Sequence, residues 1–261
     1  MKYYKKSLGQ NFLIDNNIVK KIINTVEIKN KNIVEIGPGK GALTEEILKK
    51  KPKSLMLIEK DFHLSRELKL KYLSFKNIKV INSDILKFDI EKILKKKTII
   101  FGNLPYNISS QILVKFLKFN KWPPFFSSLI FMFQKELGEK IICDNPSQNY
   151  GRISILRSFR LNIKNKFLVS PNSFFPKPKV KSMVIHFTPL EIKTLRINKI
   201  FNLEKITNIF FSKKRKMIKK SLDKILNKKN IKRLSNINLK SRPGEIKPEI
   251  YYRITELYEG Q

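Results

Sequence analysis

The chain has 261 residues, 41% of them hydrophobic, which is enough for one large domain or for an ordinary domain with a smaller one. Its 55 Lys and Arg against 21 Asp and Glu give a formal net charge of +34, and this excess predicts a polyanionic partner such as nucleic acid. A coding bias is the alternative origin of the charge, because only nine of these basic residues are Arg.

The sequence shows no apolar run of the roughly 20 residues that span a bilayer, and its start is basic without the apolar segment of a secretory signal. Cys143 is the only cysteine, which excludes an intramolecular disulfide and a cysteine zinc cluster. We therefore expect a monomeric cytoplasmic protein with no membrane association and no metal.

Apolar spacing predicts a first amphipathic helix over 15–28, with Asp15 as its N-cap. Strands and helices then alternate, which is typical of βαβ units in a doubly wound sheet. The predicted elements are strand 33–36, helix 42–50, strand 55–59, helix 63–72, strand 78–82, helix 90–94, strand 98–101, helix 111–119, strand 129–133, and helices 135–142 and 153–159.

Two further strands, 167–169 and 180–187, are predicted to be antiparallel, because the prolines between them leave little room for a crossover helix. From about Pro189 the pattern becomes helical, with candidate helices at 199–211, 217–226 and 246–257. The fold class predicted is α/β, a Rossmann-like sheet domain over 1–188 followed by a small α-helical domain over 189–261.

Asn103-Leu104-Pro105-Tyr106 follows a strand, and ligands of open α/β sheets bind at the carboxyl ends of strands. An amide, a proline carbonyl of fixed direction and an aromatic ring can hold an adenine by its exocyclic amine and stack on its face. A plain turn is the alternative, since Asn and Pro are common turn residues. Leu104 is interpreted as packing.

A glycine loop, Gly37-Pro38-Gly39-Lys40-Gly41, follows the first sheet strand and opens a helix, as in nucleotide sites. Glu59 ends the next strand, where a carboxylate can accept hydrogen bonds from ribose hydroxyls. This much fits NAD as well as S-adenosylmethionine. Asp84, placed to bind an adenine amine, and Asn103 favour the methyl donor, because they make the site rich in acceptors rather than in phosphate-binding donors.

The chain resembles the ribosomal RNA adenine dimethyltransferase family, in its bacterial small-subunit branch, over nearly its whole length. The motifs that carry the resemblance are Gly9-Gln10-Asn11-Phe12-Leu13, Glu35-Ile36-Gly37-Pro38-Gly39, Leu43-Thr44, Glu59-Lys60-Asp61, Gly102 to Ser109, Phe133-Gln134-Lys135-Glu136, Tyr150-Gly151-Arg152 and Phe174-Phe175-Pro176 through Pro178, Val180 and Ser182.

The resemblance implies S-adenosylmethionine-dependent N6,N6-dimethylation of two adjacent adenosines near the 3′ end of 16S rRNA in the small ribosomal subunit, with a role in subunit biogenesis. It places cofactor contacts on Asn11, Leu13, Gly37, Gly39, Glu59, Asp84 and Asn103. The first domain is then the S-adenosylmethionine-binding methyltransferase domain, and the second is an RNA-binding domain.

For catalysis we expect Asn103 and the Pro105 carbonyl to accept the two N–H groups of the target amine, with Tyr106 stacking on the base. Phe175 is a candidate second stacking face, with core packing as the alternative. No general base is expected, and neither His63 nor His186 lies in a motif. RNA contacts are predicted on Lys213, Lys214, Arg215, Lys216, Lys219 and Lys220, whose spacing puts several of them on one helical face, with a merely solvated face as the alternative. Lys214 stands where the family more usually has arginine.

Three other functions stay open at this point. A large-subunit adenine methyltransferase of the macrolide-resistance type is a near relative, although Leu104 and the 133–136 segment favour the small-subunit enzyme. A ribosome-assembly factor that acts by binding is a different class, and the intact 103–106 motif argues against a purely structural role. A DNA adenine methyltransferase is weaker, since no sequence-reading domain is visible.

Overall fold

The computed structural model describes residues 11–191, 197–234 and 237–261; the predicted motif residues Gly9 and Gln10 lie outside these ranges. Its strands are β1 (Phe12–Leu13), β2 (Asn32–Ile36), β3 (Ser54–Glu59), β4 (Ile78–Asn82), β5 (Thr98–Asn103), β6 (Phe126–Gln134), β7 (Leu161–Val169), β8 (Phe174–Phe175) and β9 (Ser182–Pro189). The helices are α1 (Asn16–Ile23), α2 (Ala42–Lys49), α3 (Phe62–Lys71), α4 (Ser109–Leu117), α5 (Lys135–Ile142), α6 (Arg152–Arg160), α7 (Ile200–Phe211), α8 (Lys219–Leu222), α9 (Lys228–Lys232) and α10 (Pro248–Glu259).

Seven strands form one sheet in the order β4-β3-β2-β5-β6-β9-β7, and β1 pairs with β8 in a separate two-stranded ribbon. The five strands from β4 to β6 are parallel, while β9 runs antiparallel to β6. The α/β fold and the antiparallel strand at 180–187 are thus confirmed. Because β2 is followed along the chain by β3 on one side and β5 lies on its other side, the strand order reverses between β2 and β5, which is where such sheets bind ligands.

The parallel strands are almost continuously apolar because helices cover a parallel sheet on both faces. In β5 every residue from Thr98 to Gly102 is buried, and β6 is buried over most of its nine residues. Helix α1 begins at the predicted N-cap, since the Asp15 carboxylate accepts hydrogen bonds from the amides of Asn17 and Ile18. These contacts build a rigid platform under the carboxyl ends of the strands.

Three predicted helices are shorter than expected. Helix α1 stops at Ile23, because the amide of Thr25 bonds back to the carbonyl of Ile22 and closes a turn. The predicted helix 90–94 is a three-residue 3₁₀ turn, since Leu94 is already extended. The predicted helix 217–226 is helical only over α8, and it begins after Ile218, whose amide bonds to the carbonyl of Ser241 in a distant loop.

The chain divides into two compact units. The first comprises the described part of Met1–Lys115 with Pro124–Gly138 and Ile163–Pro189, and it holds nearly all of the sheet. The second comprises Phe116–Pro123, Glu139–Asn162 and the described part of Leu190–Gln261. Its last segment begins next to the predicted boundary at 188, but the unit also takes in α6, which we had placed in the first domain.

The second unit is a cluster of helices around aromatic side chains. Helix α6 belongs to it because its side chains pack on α10: the ring centroids of Phe159 and Tyr252 are 5.0 Å apart, and the hydroxyls of Ser158 and Tyr252 lie 2.7 Å apart. The rings of Phe210 on α7 and Tyr251 on α10 meet edge to face at 5.4 Å. Sequence periodicity cannot show such packing between distant segments.

None of the helices described here is long and apolar enough to cross a bilayer.

The first unit contains a deeply buried acid. Glu35, in β2, is 1% exposed, and its carboxylate accepts a hydrogen bond of 2.6 Å from the hydroxyl of Thr44 on α2. Burial raises the pKa of Glu35 to about 8, because a charged carboxylate loses its hydration there, and the bond from Thr44 offsets only part of this. The folded protein therefore binds this proton more tightly than the unfolded chain does.

The raised pKa of Glu35 predicts a pH-dependent loss of stability. Stability should fall as the pH rises from the ordinary Glu pKa of 4.5 towards 8 and level off above it. Glu35→Gln should remove up to about 4 kcal/mol of this fall, as judged from urea unfolding at pH 5 and pH 8. Glu67→Gln, on the exposed face of α3, is the matched control. An unchanged pH dependence in Glu35→Gln would contradict the assignment.

Candidate active site

A cleft opens at the carboxyl edge of the sheet, where the strand order reverses. Its walls come from the ends of β2, β3 and β5, from the turn after β4 and from β1. The lining residues are Asn11, Phe12, Leu13, Glu35, Ile36, Gly37, Pro38, Gly39, Lys40, Ala42, Leu43, Ile58, Glu59, Lys60, Ser83, Asp84, Ile85, Asn103, Leu104, Pro105, Tyr106, Asn107, Ile108 and Ile112. The cleft brings together every residue that we expected to contact a cofactor.

The glycine loop has the backbone geometry that requires glycine. Gly37 and Gly39 have φ of +65° and +57°, and Gly41, with φ of +88°, is the N-cap of α2. A Cβ on Gly39 would lie 3.0 Å from the Phe12 ring, so a side chain there would force this ring away. The loop therefore leaves open backbone at the start of a helix, as a nucleotide-like ligand requires.

Glu59 is held in place by two backbone amides. Its carboxylate is buried and accepts hydrogen bonds from the amide of Gly39 at 3.1 Å and from that of Asp61 at 2.8 Å. Burial raises the pKa of Glu59, while these two hydrogen bonds lower it in part. Each oxygen keeps a second lone pair and Glu59 lines the cleft, so the residue can still accept hydrogen bonds from hydroxyl groups of a ligand.

Asp84 lies at the cleft as predicted, but it forms an ion pair with Lys60 that we did not expect. The ammonium of Lys60 is 2.8 Å from its carboxylate, and the amide of Leu86 donates to the same group at 2.9 Å. The hydrogen bond from Lys60 holds the pKa of Asp84 below its usual range. Asp84 is therefore an ionised acceptor at neutral pH, and a ligand amine would share it with Lys60.

Asn103 is oriented by the segment before α1. Its amide nitrogen donates a hydrogen bond of 3.0 Å to the carbonyl of Asn11. This contact uses a donor of the amide and leaves the side-chain oxygen as an acceptor. The same segment is tied to β8, since Phe12 pairs with Phe175 and the amide of Ile14 donates to the carbonyl of Ser173.

Leu104 packs as predicted. It is 1% exposed, and a Cβ built on Gly102 would lie 2.5 Å from its side chain, so any larger residue at position 102 would force Leu104 to move. The carbonyl of Pro105 accepts a hydrogen bond of 3.1 Å from the amide of Ile108. This bond fixes the direction of the Pro105 carbonyl and leaves its second lone pair for a substrate.

Tyr106 lines the cleft, and its phenol lies 2.6 Å from the hydroxyl of Ser182 in β9. Burial raises the pKa of Tyr106, so the phenol is neutral. Phe174 is core, 2% exposed, whereas Phe175 is 54% exposed and is not among the described residues that line the cleft. The alternative reading of plain core packing thus holds for Phe174 but not for Phe175.

The predicted helical face of basic residues is wrong. All six side chains are exposed, but α7 ends at Phe211 and residues 213–216 form turns, closed by the amide of Lys216 on the carbonyl of Lys213. Only Lys219 and Lys220 are helical, at the start of α8. The cause is the anchoring of Ile218 to Ser241, which no periodicity shows.

Sequence reasoning assigned no individual role at the cleft to Phe12, Lys60 or Ser182. Each stands in a motif that carried the family resemblance, so a signal was present, but their contacts join segments far apart in sequence. His186 is not part of the cleft lining: it is buried and its ring nitrogen lies 3.0 Å from the Ser128 hydroxyl. Within the described residues no group of His, Cys, Asp and Glu could hold a metal ion.

The chemistry of the cleft fits S-adenosylmethionine. Its polar groups are mostly acceptors, which suit ribose hydroxyls, an adenine amine and a cationic amino-acid tail. Backbone without Cβ atoms at Gly37 and Gly39 allows close approach. All seven expected cofactor contacts border this one cleft: Asn11, Leu13, Gly37, Gly39, Glu59, Asp84 and Asn103.

Comparisons with known proteins agree with this fit. The ribosomal RNA adenine dimethylase family matches residues 1–259. Ribosomal RNA small subunit methyltransferase A of Pelagibacter ubique is 46% identical over 259 residues, covering 98% of this chain and 97% of that protein. The protein of the same name from a Wolbachia of Drosophila simulans is 40% identical over 231 residues, covering 85% and 81%.

Solved structures show the same fold. A dimethyladenosine transferase from Plasmodium falciparum superposes with a TM-score of 0.73 at 25% identity, covering 93% of this chain and 95% of that one. The 23S rRNA methyltransferase ErmE, 22% identical, has a TM-score of 0.69 and shares the fold over 95% of this chain and 100% of its own. The chain therefore belongs to the ribosomal RNA adenine dimethylase family, and it is an adenine methyltransferase of ribosomal RNA with S-adenosylmethionine as its methyl donor.

Proposed function

We propose that the protein N6,N6-dimethylates two adjacent adenosines near the 3′ end of 16S rRNA, within the small ribosomal subunit and as a step of its biogenesis. The observation that carries this proposal is the position of Asn103, Pro105 and Tyr106 on the wall of the same cleft as the glycine loop. Support for the small subunit comes from the relatives at 46% and 40% identity, which are named for it. Action as a cytoplasmic monomer stays a prediction.

The target amine is a poor nucleophile because its lone pair is delocalised into the adenine ring. In the proposed mechanism the side-chain oxygen of Asn103 and the carbonyl of Pro105 accept its two N–H groups, which favours a pyramidal nitrogen whose lone pair points into the cleft. S-adenosylmethionine, when bound, supplies an electrophilic methyl group on a sulfonium. Positioning and electrostatics then provide most of the rate, and the methylated amine loses its proton to solvent.

Two hydrogen bonds prepare these acceptors before the substrate arrives. The contact from Asn103 to the Asn11 carbonyl sets which way the amide faces, and the contact from Ile108 fixes the Pro105 carbonyl. Preorganised acceptors cost little reorganisation during the reaction, which is the usual source of electrostatic catalysis. Asn11 is also a predicted cofactor contact. Its hydrogen bond with Asn103 therefore links the cofactor site to the amide that binds the target amine.

The base itself must leave the RNA stack to reach the cleft. We assign its first stacking face to Tyr106, whose ring lies on the cleft wall. The second face is assigned to Phe175, which is exposed and paired across the β1–β8 ribbon with the cleft residue Phe12. Each stacking contact contributes about 1 to 3 kcal/mol.

The function itself can be checked by mapping the modified bases. Unmethylated small subunits incubated with the protein and labelled methyl donor should gain label on two adjacent adenosines near the 3′ end of their rRNA. Large subunits, offered in a parallel reaction, are the control. Label on large-subunit RNA instead would overturn the proposal in favour of the macrolide-resistance type of enzyme, and binding without any label would favour a pure assembly factor.

Asn103→Ala should abolish methyl transfer, with a loss of at least about a hundredfold, because one of the two acceptors for the amine disappears. Cofactor affinity should weaken but stay measurable by calorimetry. Asn77→Ala is the matched control, since the Asn77 amide donates to the Pro52 carbonyl at the amino edge of the sheet. Near-normal turnover of Asn103→Ala would exclude the proposed role.

RNA binding is assigned to the exposed cations Lys213, Lys214, Arg215, Lys216, Lys219 and Lys220. Replacing Lys214, Arg215 and Lys216 with Gln should weaken affinity for small subunits and make it less dependent on salt. The slope of log affinity against log salt should drop by about 2, because each lost phosphate contact removes about 0.7 to 0.9. Replacing Lys95, Lys96 and Lys97 with Gln is the control for total charge. An equal loss of RNA affinity in that variant would show that only net charge matters.

A further inference from the structure

A buried serine outside the cleft lining touches the proposed stacking residue. Ser182 is fully buried at the first position of β9, and its hydroxyl lies 2.6 Å from the phenol of Tyr106, 76 positions earlier in the chain. The neutral phenol and the hydroxyl form a hydrogen bond in which either oxygen is able to donate. This bond joins the tip of the Tyr106 side chain to the sheet.

Tyr106 is thus held at both ends. Its carbonyl accepts a hydrogen bond of 3.1 Å from the Ser109 hydroxyl at the start of α4, and its phenol is bonded to Ser182. A tyrosine ring fixed at its backbone and at its tip keeps one position, whereas a ring fixed at the backbone alone can change rotamer. The face that the ring turns to the cleft therefore depends on Ser182.

The position of Ser182 is itself tightly determined. Ser182 pairs with Gln134 at the end of β6, and the amide of Lys135 donates to the carbonyl of Lys181 just before it. Helix α5 also packs closely here, because a Cβ on Gly138 would lie only 2.8 Å from the sulfur of Met183. The anchor for the phenol is therefore held by backbone pairing on one side and by the packing of α5 on the other.

We propose that Ser182 is a positioning residue that fixes the Tyr106 ring in the orientation needed to stack on the target adenine. It touches neither the reacting atoms nor the cofactor cleft, so its effect reaches the reaction through Tyr106 alone. The inference rests on the stacking role proposed for Tyr106. It predicts that loss of the serine hydroxyl and loss of the phenol hydroxyl have the same consequence.

A double-mutant cycle tests this coupling on the full chain, with single-turnover methyl transfer to unmethylated small subunits at saturating cofactor. Ser182→Ala and Tyr106→Phe should each slow transfer about five- to tenfold, and the double variant should be no slower than either single variant. Cofactor affinity should stay unchanged in all three. Multiplied losses in the double variant would mean that Ser182 acts through the strand and not through Tyr106, and would overturn the proposal.

Two further variants separate structural from positional effects. Ser128→Ala removes a buried hydroxyl that contacts His186 in the same strand pair, and it should leave transfer unchanged while the Tm shift is similar to that of Ser182→Ala. Equal losses of transfer in both serine variants would contradict positioning. If Tyr106→Ala greatly slows transfer while Ser182→Ala does not, the serine inference fails and the proposed function stands. If Tyr106→Ala is fully active, the stacking role itself is wrong.

Discussion

The site depends on the alignment of two neighbouring parallel strands. In β2 and β5, Ile36 pairs with Gly102, so the glycine loop and the 103–106 segment leave the sheet at the same level and side by side. A Cβ built on Gly37 would lie 4.0 Å from the carbonyl of Asn103, which shows how closely the two segments approach. Because a one-residue slip in register would turn every side chain to the other face of the sheet, the buried apolar residues of both strands hold this alignment.

The same sheet supplies the second half of the site. Strand β6 lies beside β5, and the antiparallel β9 lies beside β6, which brings Ser182 to the phenol of Tyr106. Likewise, the β1–β8 ribbon carries Asn11 and Phe12 to the cleft although β8 is more than 150 residues away in sequence. The reacting groups are therefore supported from both sides by segments that contribute backbone bonds and hydroxyls and no charge.

The three acids at the site are each buried, hydrogen-bonded or paired with a cation. Glu35 is shielded in the core beside Thr44, Glu59 is satisfied by two amides, and Asp84 is paired with Lys60. In a protein of net charge +34, Glu59 and Asp84 form a local acceptor region, which suits a cationic cofactor, whereas the raised pKa of Glu35 keeps that acid largely neutral. The many exposed lysines lie outside this region and are available to a polyanion.

Local patterns determined much of this protein. Apolar periodicity gave the order of strands and helices, and the glycine loop, Glu59, Asp84 and the 103–106 segment were recognisable because each follows a strand, whose carboxyl ends must meet at one edge of a parallel sheet. Tertiary structure alone decided what depends on contacts between distant segments: the start of α8 just after the bond from Ile218 to Ser241, the pairing of Lys60 with Asp84, the exposure of Phe175 and the bond between Ser182 and Tyr106. Sequence patterns report the local preferences of the chain, whereas these contacts arise only when packing has fixed which remote surfaces meet.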